Sequence, residues 1–97
     1  MSNLNRLIIM KRNEILQIAS RHGAKNLRIF GSQVKETAQK DSDIDVLVEF
    51  EEGRSLLDRI ALIQDLEDLL GMKVDVVSEK ALHPVIRDQI LQEAVPL

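Results

Sequence analysis

The residues most able to do chemistry are three aspartates and a glycine-serine pair. Asp43 and Asp45 flank a single isoleucine at the start of Asp43-Ile44-Asp45-Val46-Leu47-Val48-Glu49-Phe50. Read as a strand, this run alternates faces. Ile44, Val46, Val48 and Phe50 turn to a core, and Asp43 and Asp45 share the opposite face. Their Cα atoms then sit roughly 6.5–7 Å apart. Two carboxylates so placed repel one another, and one of them is driven towards its protonated form. A divalent cation relieves that conflict, and an all-oxygen donor set suits Mg²⁺ or Mn²⁺. Asp75 is the same kind of residue, an acid inside the apolar run Val74-Asp75-Val76-Val77. If its strand lies beside that of Asp45, the three acids converge and can hold two metal ions. One would activate an attacking hydroxyl and the other would hold a triphosphate. Asp75 is then also placed to take the nucleophile's proton. Upstream, Gly31-Ser32 follows the short apolar run 27–30 and precedes Asp43 by ten residues. Glycine lets backbone approach a ligand closely. Serine suits a helix N-cap, whose free N–H groups attract phosphate. A phosphate cradle beside paired carboxylates describes metal-assisted chemistry on a phosphate ester.

A first helix capped by Asn3 or Asn5 is expected to run to His22-Gly23. Leu4, Leu7, Ile8, Ile15, Ile18 and Ala19 would form its apolar stripe, interrupted at Lys11 and Arg12. His22 reads as a cation favoured by the helix C-terminus. A strand over 27–30, a short helix over 33–38 and a polar loop over 37–42 follow, then the strand 43–50. Glu49, Glu51 and Glu52 read as exposed near its far end, before a turn at Gly53. Ser55 caps a long helix ended by Gly71, with Leu56, Leu57, Ile60, Ala61, Ile63, Leu66 and Leu70 on its apolar face. The third strand spans 73–77. Ser78 caps a helical turn to Leu82, His83 is a linker, and Pro84 opens a last helix at its N1 position. Val85, Ile86, Ile90 and Ala94 are expected inward, and Val95-Pro96-Leu97 packs on the domain or meets a partner. This order predicts an α/β sheet with helices covering its apolar face and the acids near one end of the other.

The 97 residues fit a single small domain over 1–97. Hydrophobic content of 44% and charged content of 30% fit a soluble globular chain. No apolar run approaches the roughly 20 residues of a membrane span, no secretory signal opens the chain, and without cysteine there is no disulfide or thiolate metal site. The default location is cytoplasmic. The only aromatics are Phe30 and Phe50, both read as core, so base-stacking surfaces for single-stranded nucleic acid are not expected. Net charge is −3, unevenly spread: residues 1–40 carry eight Lys/Arg against two Glu, and residues 41–97 carry five against fourteen Asp/Glu. The acidic half suits cations; the basic half suits a triphosphate or an acidic partner, or is simply a solvated surface.

Gly31-Ser32, ten residues, then Asp43-Ile44-Asp45 resembles the nucleotidyltransferase signature of the DNA polymerase beta superfamily. The chain length resembles its minimal nucleotidyltransferase (MNT) group. The likeness extends through Leu69-Leu70-Gly71-Met72-Lys73-Val74-Asp75-Val76-Val77 and the tail Ala81-Leu82-His83-Pro84. It implies a mixed sheet of nucleotidyltransferase type. Gly31 and Ser32 would bind nucleotide phosphate, Asp43 and Asp45 would bind both Mg²⁺ ions, and Asp75 one of them. Members of the group are commonly paired, as antitoxins, with a small helical HEPN RNase toxin. The resemblance therefore implies transfer of AMP from ATP to a tyrosine hydroxyl of such a toxin. Two positions depart from the pattern: Gln33 stands where relatives often have Arg, and Glu36 where they often have Gly. A catalytically weak or inactive antitoxin of the MNT fold that neutralises its toxin by binding alone is the competing reading. A small-molecule transferase is disfavoured by the lack of an acceptor-binding domain, and a polymerase by the acidic charge and the absence of a thumb-like region.

Overall fold

The computed structural model describes residues 6–31 and 43–97, and the fold follows from how its lengths match. Helix α1 (Arg6–Met10) and helix α2 (Arg12–Arg21) lead into strand β1 (Ala24–Phe30). Strand β2 (Ile44–Phe50), helix α3 (Leu56–Leu70) and strand β3 (Val74–Ser78) come next. A 3₁₀ turn (Glu79–Ala81), helix α4 (Pro84–Glu93) and a two-residue strand β4 (Val95–Pro96) complete the chain. The four strands form one sheet in the order β3-β2-β1-β4. The β1/β2 and β1/β4 pairs are antiparallel and the β2/β3 pair is parallel, so the sheet is mixed.

The parallel pair is a matter of length. Fifteen helical residues span about 22 Å, close to the roughly 23 Å of a seven-residue strand. Helix α3 therefore returns the chain to the end of the sheet where β2 began. Its boundaries are chemically marked. Ser55 and Asp58 form a reciprocal capping box, with Ser55 Oγ accepting from Leu57 N–H at 3.2 Å and Asp58 Oδ2 from Ser55 N–H at 2.9 Å. Gly71 ends the helix in the left-handed region at φ 66°.

The core lies between one sheet face and helices α1, α2 and α3. Ile8, Ile15, Ile29, Ile44, Leu62, Leu66 and Val76 are essentially inaccessible there. Alternation holds on β2, where Ile44, Val46 and Val48 are buried in this core. On β1 it is broken by a bulge between Lys25 and Arg28, with Asn26 at φ +52°. The extra residue lets Ala24, Leu27 and Ile29 all face inward despite their uneven spacing. The opposite face is partly covered too: Leu47 is fully buried there. Arg28 lies directly across from Leu47, and its Nη2 donates to Glu79 Oε2 at 3.1 Å, so the Glu79–Ala81 turn sits over that face.

Several expectations need correction. The first helix is broken at Lys11 into two, and β1 begins three residues before the expected start, at Ala24. Asp43 precedes β2 rather than opening it, and Lys73 likewise precedes β3. Glu49 is half-buried, not exposed. Leu56, Leu57 and Ile60 are 65%, 76% and 42% exposed. The buried stripe of α3 runs Leu62, Leu66, Leu70; continued backwards it reaches Asp58 and Arg59, so the three apolar residues fall outside it. On α4 no residue is fully buried, and Val85 and Ile86 are 79% and 46% exposed. Ten helical residues cover about 15 Å, near three strand spacings of about 4.8 Å. The helix thus carries the chain from the β3 edge to the β1 edge with Ile90 and Leu91 half-buried. Val95-Pro96 becomes a fourth strand on β1, reinforced by Leu97 N–H donating to Leu27 O at 3.0 Å. Proline is tolerated there because β4 is an edge. His83 is the N-cap of α4, its Nδ1 accepting from Val85 N–H at 3.1 Å. Ser78 sits at the head of the 3₁₀ turn without a side-chain cap bond. His22 closes α2, and its Nε2–H donates to Asp65 Oδ2 at 2.6 Å, tying α2 to α3. The Asn3 or Asn5 cap, the 33–38 helix, the 37–42 loop and residues Ser32, Gln33 and Glu36 lie outside the described residues. Among the described residues no helix is long and apolar enough to cross a membrane.

Candidate active site

The register of the sheet assembles the site. Phe30, the last residue of β1, pairs with Asp45 on β2, and Asp45 pairs with Asp75 on β3. These three positions form one row across the sheet, and residues directly opposite one another share a face. Asp45 and Asp75 therefore project together, with Cα atoms about 4.8 Å apart by strand spacing. Asp75 is thus on the same side as Asp45, the condition that converging acids require. Phe30 belongs to this acid face rather than to the core: it alternates with buried Leu27 and Ile29, shares a face with Arg28, and lies directly across from Asp45.

Gly31 closes the row at the end of β1. Its φ is +75°, a region L-residues rarely adopt, and a Cβ placed there would run into the Asp45 carboxylate, with Cγ 3.2 Å away. The missing side chain is what lets the Gly31 bend lie against Asp45. Gly31 is brought to the acids as the sequence reading required; its neighbour Ser32 is not among the described residues.

Electrostatics mark Asp45 as the strained member. Its pKa is raised first by burial, then by the Asp75 carboxylate and then by Asp43. Asp43 is exposed just before β2. A row of like charges at one sheet end has no folding rationale, and oxygen-only donors suit a hard divalent cation. Among the described residues no three acidic, histidine or cysteine side chains close into a metal cage. Mg²⁺ does not need one, since it keeps several waters and binds through one or two carboxylates together with substrate phosphates. The residues present therefore fit such an ion.

Sequence reasoning missed one neighbour. Arg59, in the first half of α3, donates from Nε to Val76 O at 2.8 Å and places Nη2 3.9 Å from Asp75 Oδ1. Glu67, two turns further on, accepts Val74 N–H at 3.1 Å. Together these side chains satisfy the outer edge of β3 in place of a further strand. The one sequence signal was that Arg59 lies on the backward continuation of the buried α3 stripe and Glu67 adjoins that stripe.

Known proteins share the sequence and the fold of this chain. The family model described as nucleotidyltransferase domain matches residues 12–97. A candidate protein adenylyltransferase of Methanocaldococcus jannaschii, MJ0435, is 46% identical over 84 residues, 87% of this chain and 90% of that protein. The protein adenylyltransferase MntA of Thermococcus cleftensis is 43% identical over 79 residues, 81% of this chain and 80% of that protein. A solved structure described as a candidate minimal nucleotidyltransferase superposes with a TM-score of 0.86 at 47% identity, covering 100% of this chain and 97% of that one. Two more distant structures share the fold. One is a toxin–antitoxin complex with AMP-PNP, with a TM-score of 0.74 at 24% identity over 87% of this chain and 69% of that one. The other holds a tri-AMPylated Shewanella oneidensis HEPN toxin with its MNT antitoxin, with a TM-score of 0.68 at 21% identity over 91% of this chain and 69% of that one. The chain belongs to the nucleotidyltransferase domain family, in the minimal group whose members carry the name protein adenylyltransferase.

Proposed function

We propose that the protein transfers AMP from ATP to a tyrosine hydroxyl of a HEPN-type toxin and thereby acts as its antitoxin. The observation that carries this reading is the Asp45–Asp75 register pair facing the Gly31 bend. Structures sharing the fold include an antitoxin bound to an AMPylated HEPN toxin and a complex with AMP-PNP, which supports the partner and the nucleotide. In the reaction the tyrosine oxygen attacks the α-phosphorus of ATP. An O–P bond forms, the α–β phosphoanhydride bond breaks, and pyrophosphate leaves with the electron pair. The hydroxyl proton passes to a carboxylate, for which half-exposed Asp75 is the accessible choice. Bound Mg²⁺ supplies the charge neutralisation that the triphosphate and its leaving group require. Asp43 and Asp45 would hold both ions and Asp75 one. Gly31, with Ser32 beside it, would offer backbone to the phosphates, a task for which an absent side chain is suited.

The test is to incubate the protein with labelled ATP, Mg²⁺ and a candidate HEPN-type toxin, and to read label on that partner. Label on a tyrosine that disappears with Asp43→Asn/Asp45→Asn is the expected outcome. A double variant that still silences the toxin as well as the parent does would instead point to neutralisation by binding alone.

A further inference from the structure

Resting on the reading of Asp75 as a cation ligand, we propose that Arg59 is the resident counter-cation of the metal-free site. It would hold Asp75 in place and compete with the incoming ion. Three observations carry this. Asp45 and Asp75 are paired in register, and Asp43 adds to their charge, so the site holds an excess of negative charge. Among the described residues, the ion pair that reaches any of the three acids is Arg59–Asp75, at 3.9 Å. That guanidinium is also not free to wander, because Nε is fixed to Val76 O at 2.8 Å, one residue from Asp75. A planar fork with one arm tied to the strand edge presents its remaining N–H groups in a set direction. Arg59 thus points at the outer side of Asp75, while Asp45 lies on the inner side. The side chains of Arg59 and Asp75 are 41% and 55% exposed, so a hydrated cation can reach the same carboxylate.

The consequence is a sign that a merely structural arginine would not produce. Removing a positive charge beside a cation site tightens cation binding, whereas removing a scaffold loosens it. Arg59→Met is expected to bind Mn²⁺ about two- to fivefold more tightly than the parent at low salt, the scale of a half-exposed charge pair. The gain should fade at high salt as screening shortens the reach of the guanidinium. Arg59→Lys keeps the charge but cannot keep both the Val76 bond and the fork. It is expected to bind Mn²⁺ like the parent. In chelator, Arg59→Met should melt below the parent, and saturating Mn²⁺ should close that gap.

Mn²⁺ titration followed by electron paramagnetic resonance, on the full chain, reads these affinities without substrate or turnover. Asp75→Asn in the same titration separates the two claims. If Asp75→Asn binds Mn²⁺ as tightly as the parent, Asp75 is no ligand and this inference falls with that reading. If Asp75→Asn weakens binding but Arg59→Met leaves it unchanged or weaker, Arg59 is an edge cap alone and only this inference falls. Tighter binding by Arg59→Met that vanishes in the Asp75→Asn background establishes the coupling.

Discussion

At the scale of single residues, the site depends on a side chain that is absent and a charge that is crowded. Gly31→Ala would force a Cβ into the Asp45 carboxylate at a backbone angle of +75°. The left-handed conformation alone costs an alanine about 1–2 kcal/mol. The expected outcome is a loss of that order in urea unfolding and a larger loss of AMP transfer, since Asp45 must move to make room. Near-normal transfer by Gly31→Ala would show that the close approach is dispensable. Asp45 makes a separate prediction with pH. Its folded pKa is raised by burial and by Asp75 and Asp43. Between the unfolded and folded values the native chain binds the extra proton. The stability this group contributes is therefore full below its unfolded pKa and is lost as pH rises through its folded pKa. Asp45→Asn should then stabilise the metal-free fold at neutral pH, by no more than about 1 kcal/mol because solvent screens a half-exposed charge. The advantage should vanish in acid, as melting curves across pH would show. The shared face of Asp45 and Asp75 was legible in the sequence because a period of two puts acids and aliphatics on opposite faces without any tertiary information; Asp43 falls just outside β2, where that argument does not reach. Arg59 was not legible, because its position is fixed by a helix lying along a strand edge seventeen residues away in sequence.

At the scale of elements, the covered part of the acid face is pinned by one ion cluster. Arg28 on β1 meets Glu79 of the 3₁₀ turn at 3.1 Å, with side chains only 17% and 15% exposed, and Arg87 of α4 stands 3.9 Å from the same carboxylate. The hydrogen bond from Arg28 is the main cause holding the Glu79 pKa below its usual range. A lowered carboxylate pKa stabilises the fold above the unfolded value and loses that contribution as pH falls through the folded value. Glu79→Gln is therefore expected to cost about 1–3 kcal/mol at neutral pH, leaving Arg28 short of its partner. The difference from the parent should narrow at low pH, where Glu79 is protonated in both states. Equal denaturation midpoints at neutral pH would mean that the turn is held by Leu47 burial alone. The ends of α3 were readable from Ser55 and Gly71, since caps are local chemistry. Its inward face was not, because Leu56, Leu57 and Ile60 satisfy a helical period while the sheet beneath selects the stripe through Leu62, Leu66 and Leu70. Strand β4 escaped notice for a similar reason. Two residues carry no periodicity, and their pairing with Arg28 and Ile29 depends on where α4 delivers the chain.

At the scale of the whole molecule, a fold that gathers three acids at one end of its sheet is less stable without cations than it could be. Asp43→Asn/Asp45→Asn removes two of the three mutually repelling acids while leaving Ile44, Val46 and Val48 in the core. In chelator the double variant should melt above the parent, and for a domain of this size about 1 kcal/mol corresponds to roughly 4–8 °C. Cations reverse the order. A ligand at a hundred times its Kd adds about 2.7 kcal/mol to the parent by mass action, and a chain left with Asp75 alone would bind the ion far more weakly. The melting curves of the two proteins should therefore cross as Mg²⁺ or Mn²⁺ is added. As pH falls, both the gap in chelator and the parent's apparent metal affinity should decline, because Asp45 holds its proton to higher pH than an ordinary aspartate and the ion must displace it. Differential scanning fluorimetry over a grid of metal and pH reads both effects without substrate or partner. A parent whose melting temperature ignores divalent cations at every pH would sever the carboxylate row from metal-assisted transfer. A crossing with the stated pH dependence would tie the burial and charge crowding of Asp45 to the chemistry at the end of the sheet.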